Sequence, residues 1–540
     1  MSGGDVVIGG GGRGGAGQSA RSGFGIDRRR LLLSGAGVAA TAALASCTSM
    51  PGLDPVDALW DCGVASGLHS SEAAVLWTRF APGATSAVEV SWQVATDVSF
   101  TQVVASGAAT AGPDADGCVK VLAEGLVAGR HHWYRFSAGG SISPVGRTRT
   151  LPDPAAMPSV VRLAVGSCQN FASGYYPAWR DVAGLDLDAV VFLGDYIYES
   201  AGDPNPLWDV RGDPSDEAVD LATYRAKYRM YRSDPDLRAA HAAHPFAPVW
   251  DDHEFVDNYD AARVASQRSR STAAYRAWFE YQPVWPIDGT RIHRRLRFGR
   301  LAELTLLDTR QHRDPNPTRD ILVNTLDADG RVVHASGRSI LGAAQRTWLQ
   351  DGLGVAQSDG VVWNLIGQQV MLAPLRWIDL DDPLLGDNPP HAGIYFNVDQ
   401  WDGYPEERDH LTAFLHDEQI RNTAVFTGDI HSFWQAAIHT DMERWSSPTV
   451  AQEFVCGSIS STALGFSPEL AAGFSQLTRS FSPAFRWVDW QRRGYGFVEV
   501  TPSAMAVEYR TFDVRRRGAP RQVPVRFDWA EGADVLAVTR

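Results

Sequence analysis

The sequence predicts a layered α/β protein, a β-sheet sandwich flanked by helices, preceded by an all-β domain of immunoglobulin or fibronectin type. Three observations carry this. Residues 55–150 hold short alternating runs separated by Gly, Pro, Asp and Ser, with no helical period. From residue 159 onward, apolar β-branched runs end abruptly in polar residues, as buried strands do. Between those runs lie segments of 3.6-residue period, namely 221–231, 271–281 and 343–353.

Taken in order, the chain opens on a Gly- and Ser-rich stretch without hydrophobic period. It continues through Asp27-Arg28-Arg29-Arg30-Leu31-Leu32-Leu33 into a short apolar run ending at Ala45. A basic region, a short apolar region and small residues make an export signal, and the paired arginines before Leu-Leu resemble the twin-arginine type. Leu44-Ala45-Ser46-Cys47 resembles a lipobox, which would place a lipid on Cys47 and tether the protein to a membrane surface. The expected location is therefore extracytoplasmic: periplasmic, cell-surface or secreted. The alternating runs Ala74–Thr78, Val88–Val94 and His131–Phe136 predict strands of the first domain. Adjacent His131 and His132 would face opposite sides of a strand. A Pro-rich stretch, 151–158, separates this domain from the second, which spans 159–540.

Composition narrows the function. Hydrophobic residues make up 44% of 540 and charged residues 21%, so the chain has ample material for folded cores. The net charge is −14, and losing residues 1–47 removes five Arg and two Asp to leave −17. Such a surface repels a nucleic-acid backbone. An enzyme acting on phosphate esters would then need cations concentrated in its pocket. Five Cys are too few for a disulfide scaffold, and whether Cys62 pairs with Cys118 stays open.

The chemistry clusters where strands end. Val160–Val165 runs into Gly166-Ser167-Cys168, and Ala189–Leu193 into Gly194-Asp195-Tyr196-Ile197-Tyr198-Glu199. Phe246–Val249 leads to Trp250-Asp251-Asp252-His253-Glu254, Leu304–Leu307 to Asp308-Thr309-Arg310, and Thr423–Thr427 to Gly428-Asp429-Ile430-His431. Asp195 and Tyr198, three apart, can point to one side, and a carboxylate with a phenolate suits trivalent iron beside a divalent partner. Three acids packed around one imidazole raise one another's pKa unless a cation neutralises them. Asp429 and His431 share a face in extended backbone, and Cys168 as a thiolate is a soft metal ligand. A competing use of Gly166-Ser167-Cys168, as a nucleophile with His253 or His431 as base, lacks the Gly-x-Ser-x-Gly elbow.

These motifs, in this order, resemble the alkaline phosphatase D (PhoD) family of calcineurin-like metallophosphoesterases, near the purple acid phosphatases. The resemblance extends from the β-domain through Glu453–Ser460. It implies an exported phosphomonoesterase or phosphodiesterase with Fe(3+) and Ca(2+), hydrolysing phosphate esters with a metal-activated water. By position, Cys168, Asp195, Tyr198 and His431 would hold the iron. Asp195 would bridge to a calcium site completed by Asp252 and Asp429. Asp252 stands where the superfamily has Asn, so His253 becomes the transition-state stabiliser or acid. Asn258 and Glu453 are candidates for a further calcium. Arg310 and Arg313 could add contacts to substrate phosphate, or form an exposed structural pair with nearby acids. Two other readings remain: a phospholipase D-like or teichoic-acid phosphodiesterase on the same site, and a non-enzymatic cell-surface protein with structural metals.

Overall fold

The computed structural model describes residues 58–81, 86–201, 209–316, 318, 322–326, 337–380, 391–442, 444–462, 468–482 and 484–540. All belong to one compact unit, Leu53–Arg540. The signal region and Cys47 lie outside the described residues. No helix among those described is long and apolar enough to cross a membrane.

Two large sheets form the centre. In one of seven strands, Ala302–Leu306, Trp363–Gln368, Thr423–Thr427 and Thr449–Cys456 run parallel as neighbours. Their side chains alternate between two cores. Ala424 and Phe426 face the core shared with the other large sheet, whereas Val425 joins Leu349, Leu353, Leu411 and Leu415 of the helices Gly342–Ser358 and Pro405–Asp417. Burial on both faces explains why these strands read as unbroken apolar runs.

The other large sheet has ten strands, with the parallel trio Val161–Gly166, Ala189–Leu193 and Pro245–Val249 at its middle. Trp179, Tyr228, Leu237 and Trp278, from helices on its outer face, belong to the same core. The layers are thus helices, sheet, sheet, helices. The C-terminal strands Arg493–Val500, Ala504–Phe512 and Gln522–Ala530 extend this sheet on one side.

The N-terminal strands extend it on the other side. Val64–Leu68 pairs in parallel with Pro245–Val249, through Ser66 with Pro245 and Gly67 with Phe246. Ala73–Arg79 and Cys118–Glu124 follow. Their outer side chains, such as Ala74, Leu76, Val119 and Val121, pack with Val90, Val94, Tyr134 and Phe136 of a separate small sheet. A β-sandwich is present in 58–149, yet one of its two sheets is the rim of the central sheet. Side chains bind the same seam: Trp77 donates to the Glu280 carbonyl at 2.7 Å, and Asp116 accepts from Arg79, Arg229 and Tyr281. Cys62 and Cys118 are buried here and unbridged.

Candidate metal centre

The site forms where both sets of parallel strands end. Five of its residues occupy the left-handed backbone region that L-residues seldom adopt: Cys168 (φ 58°), Asp195 (58°), Asn258 (50°), Asp429 (61°) and His431 (55°). Such conformations persist only where surrounding structure enforces them, and they cluster at functional sites. Gly194 supplies the turn that presents Asp195. Its φ is +100°, and a Cβ there would lie 2.6 Å from the backbone nitrogen of Asp251.

Three groups of side chains place ligand atoms within 4.8 Å of one another: Cys168 with Asp195 and His431; Asp195 with Asp252 and His253; Asp251 with Asp252 and Asp429. Asp195 is common to the first two. Tyr198 completes the first group, its hydroxyl donating to Asp195 Oδ2 at 2.9 Å and lying 2.9 Å from His431 Nε2. Ser461 donates to the same phenol oxygen at 2.7 Å. His431 Nδ1 lies 3.0 Å from the Thr462 carbonyl, which fixes Nδ1 as the protonated nitrogen and leaves the Nε2 lone pair toward Asp195. Burial, then Asp195, pushes the Cys168 thiol and the Tyr198 phenol well above their ordinary pKa values. A bound cation reverses that balance by favouring both anions.

Electrostatics supply the test of fit. Asp251, Asp252 and Asp399 are buried, and Asp429 partly buried, around the guanidinium groups of Arg310 and Arg313. Four carboxylates face two cations before Asp195 is counted. Burial raises the Asp429 pKa to about 6 and Asp251 well above the carboxylate range, against the pull of Arg310. Asp251 Oδ2 and Asp252 Oδ1 are buried without a hydrogen-bond donor. Uncompensated charge and orphaned oxygen acceptors are what a hard cation satisfies, so the residues fit a metal centre.

Several sequence expectations need adjustment. Arg310 is fully buried, donating to Asp251, to Asp399 at 2.5 Å and to Asp429 at 2.7 Å, and it does not line the cavity. It is a counter-ion inside the carboxylate cluster rather than an open phosphate contact. Arg313 is also buried, on Asp399 and the Tyr259 carbonyl. Glu453 lies outside the site, its carboxylate taken by the Leu372 and Ala373 backbone and Thr427. Asn258 lines the cavity; its backbone donates to Asp252 Oδ2 at 2.6 Å, and its amide nitrogen donates to Asp399 at 2.8 Å.

Glu254 acts beneath the site. It accepts from the backbone of Asp195 at 3.0 Å, Tyr196 at 2.7 Å and Asp251 at 2.8 Å, stitching two strand ends together. Glu254→Ala would leave three buried N–H groups without acceptors. An expected loss of at least about 2 kcal/mol follows, read as a lower urea midpoint; an unchanged midpoint would contradict the role.

A cavity of about 400 Å³ opens over these groups. Asp195, Asp252, His253, Asp429 and His431 line it, together with apolar Phe396, Ile430 and Trp490. Sequence reasoning missed the segment 396–400. Asn397 and Asp399 line the cavity, and Gln400 donates to Asp429 Oδ2 at 2.5 Å. Its only signal was an Asn-x-Asp-Gln cluster after a short apolar strand.

A family model described as PhoD-like phosphatase matches residues 163–509, and one described as PhoD-like phosphatase, N-terminal domain, matches 49–152. The chain belongs to the PhoD-like phosphatase family. Over 470 residues it is 35% identical to alkaline phosphatase D of Bacillus subtilis (strain 168), covering 83% of this chain and 76% of that protein. A solved structure of PhoD superposes with a TM-score of 0.80 at 33% identity, over 91% of this chain and 94% of the other. This member of the family is accordingly a phosphoesterase, a hydrolase of phosphate esters.

Proposed function

We propose that the chain is an exported, metal-dependent alkaline phosphatase or phosphodiesterase whose reaction takes place in the cavity over Asp195, Asp252, His253, Asp429 and His431. The observation that carries the reading is the convergence of three ligand groups, two of them sharing Asp195, each contributing at least one residue to the lining of one cavity. Cys168, Asp195, Tyr198 and His431 would hold Fe(3+), and Asp195, Asp252 and Asp429 would hold Ca(2+). Bound there, the ions lower the pKa of water and take up charge on the phosphoryl oxygens.

The chain's own groups do the rest. Glu254 and Gly194 set the Asp195 carboxylate, and Arg310 and Gln400 set Asp429. His253 presents an imidazole edge to the cavity. Overall, a water oxygen bonds to phosphorus and the ester P–O bond breaks, its electrons going to the leaving oxygen. That oxygen takes a proton from His253 Nε2, and the proton lost by the attacking water returns to the imidazole.

The test is spectroscopic and elemental. Purified protein is expected to contain iron and calcium and to show a visible tyrosinate-to-iron band that Tyr198→Phe removes. Full turnover by metal-free protein would overturn the reading. Parallel assays of a monoester and a diester, each with calcium, assign the ester class. Export is supported by the Arg28-Arg29-Arg30-Leu31-Leu32 signal and the Leu44-Ala45-Ser46-Cys47 lipobox, and mass spectrometry of the mature N-terminus tests for a lipid on Cys47.

A further inference from the structure

Glu199 belongs to the Gly194–Glu199 motif but to none of the ligand groups. It is buried, and its two oxygens serve two partners. Oε1 accepts from the backbone of Asp257 at 2.9 Å, and Oε2 lies 2.7 Å from His253 Nδ1. The imidazole is held on other sides as well. Its ring lies over that of Tyr198, with centroids 4.2 Å apart and planes at 30°, and its backbone N–H donates to Asp195 Oδ1 at 3.3 Å. Nε2 is the remaining nitrogen, 3.9 Å from the carboxylate of Asp257, whose side chain is 61% exposed.

We propose that Glu199 is a positioning residue for His253, binding Nδ1–H so that Nε2 faces the cavity where the ester's leaving oxygen would lie. The inference rests on the hydrolytic reading above and adds to it the group that orients its proton donor. A carboxylate on one imidazole nitrogen decides which nitrogen is free and where it points. A loose imidazole on this surface has a ready alternative. The carboxylates of Asp195, Asp252 and Asp257 all surround it, and a ring turned toward any of them loses its aim at the substrate. Glu199 prevents that turn because Asp257 N–H and its own burial fix the carboxylate in place.

The test compares Glu199→Ala, Glu199→Gln, His253→Asn and the Glu199→Ala/His253→Asn double variant, each checked for native far-UV spectrum and metal content. Substrates are 4-nitrophenyl and phenyl phosphate esters, whose leaving phenols differ in acidity. Glu199→Ala is expected to lower kcat by about 10- to 100-fold with little change in KM. The loss should be larger for the phenyl ester, whose leaving group needs a proton more. Glu199→Gln, which keeps an oxygen for Nδ1–H, is expected to fall between wild type and Glu199→Ala. Added to His253→Asn, Glu199→Ala should cost little more, because both changes remove the same function. Equal losses on both esters, or losses that multiply in the double variant, would overturn the proposal. If His253→Asn alone leaves turnover intact, the assignment of His253 as proton donor fails instead; no turnover by wild type on either ester counts against the phosphoesterase reading.

Discussion

Asp195→Asn is expected to lower turnover on aryl phosphates by at least about 10³-fold while leaving the far-UV spectrum native. The residue is buried at the end of a central strand and belongs to two ligand groups at once. The amide is isosteric, so it preserves packing and keeps one oxygen for the Tyr198 hydroxyl or the His253 N–H. It lacks the charge and the second anionic oxygen through which two cations would share one ligand. Losing several kcal/mol of transition-state stabilisation corresponds to this factor, at about 1.4 kcal/mol per tenfold. Metal analysis of the variant should show depletion at both positions together, since the carboxylate is common to them. Turnover within tenfold of wild type would remove Asp195 from the reaction.

Arg310→Met should have the largest effect on stability, about 3–5 kcal/mol, the cost of removing one partner from a buried ion cluster. The guanidinium is wholly enclosed and contacts Asp251, Asp252, Asp399 and Asp429. Methionine fills most of the volume but leaves those carboxylates with Arg313 as their remaining arginine partner, at Asp399. The experiment is urea unfolding with chelator present, so that no added cation stands in for the lost charge. Lysine should rescue poorly, because a point charge cannot reach three carboxylates as a planar fork does. A midpoint equal to wild type would show that the cluster carries little of the fold's stability.

Much of this was legible in the sequence, for identifiable reasons. Strands such as Ala189–Leu193 and Thr423–Thr427 stand out because burial on both faces forces uninterrupted apolar side chains. The Gly-Asp step after each marks the place where backbone turns and polar groups gather. The roles of Arg310, Asp399, Gln400 and Glu199 were not legible. Each depends on which distant side chain a loop residue meets, and no period or spacing encodes that. Arg310 follows an apolar strand just as a substrate-binding residue would; only the arrival of Asp399, from 89 positions away, shows that it is enclosed. The ligand set Cys168, Asp195, Tyr198 and His431 was named through resemblance, and the fold brings those four side chains together.

The parallel pairing of Val64–Leu68 with Pro245–Val249 has a consequence for how the chain assembles. About 180 residues separate the two strands, so the first to leave the ribosome waits for its neighbour; at about 5–20 residues per second the delay is roughly 9–36 s. During that interval Val64–Leu68 and its hairpin partner Ala73–Arg79 present an open, apolar edge. The strand that eventually closes it is the one leading directly to Asp251 and Asp252. Maturation of the carboxylate cluster is therefore a late event, coupled to completion of a sheet begun near the start of the chain. A fragment starting near residue 159 would lack Val64–Leu68 and leave the edge of Pro245–Val249 uncovered, and is a poor candidate for separate expression.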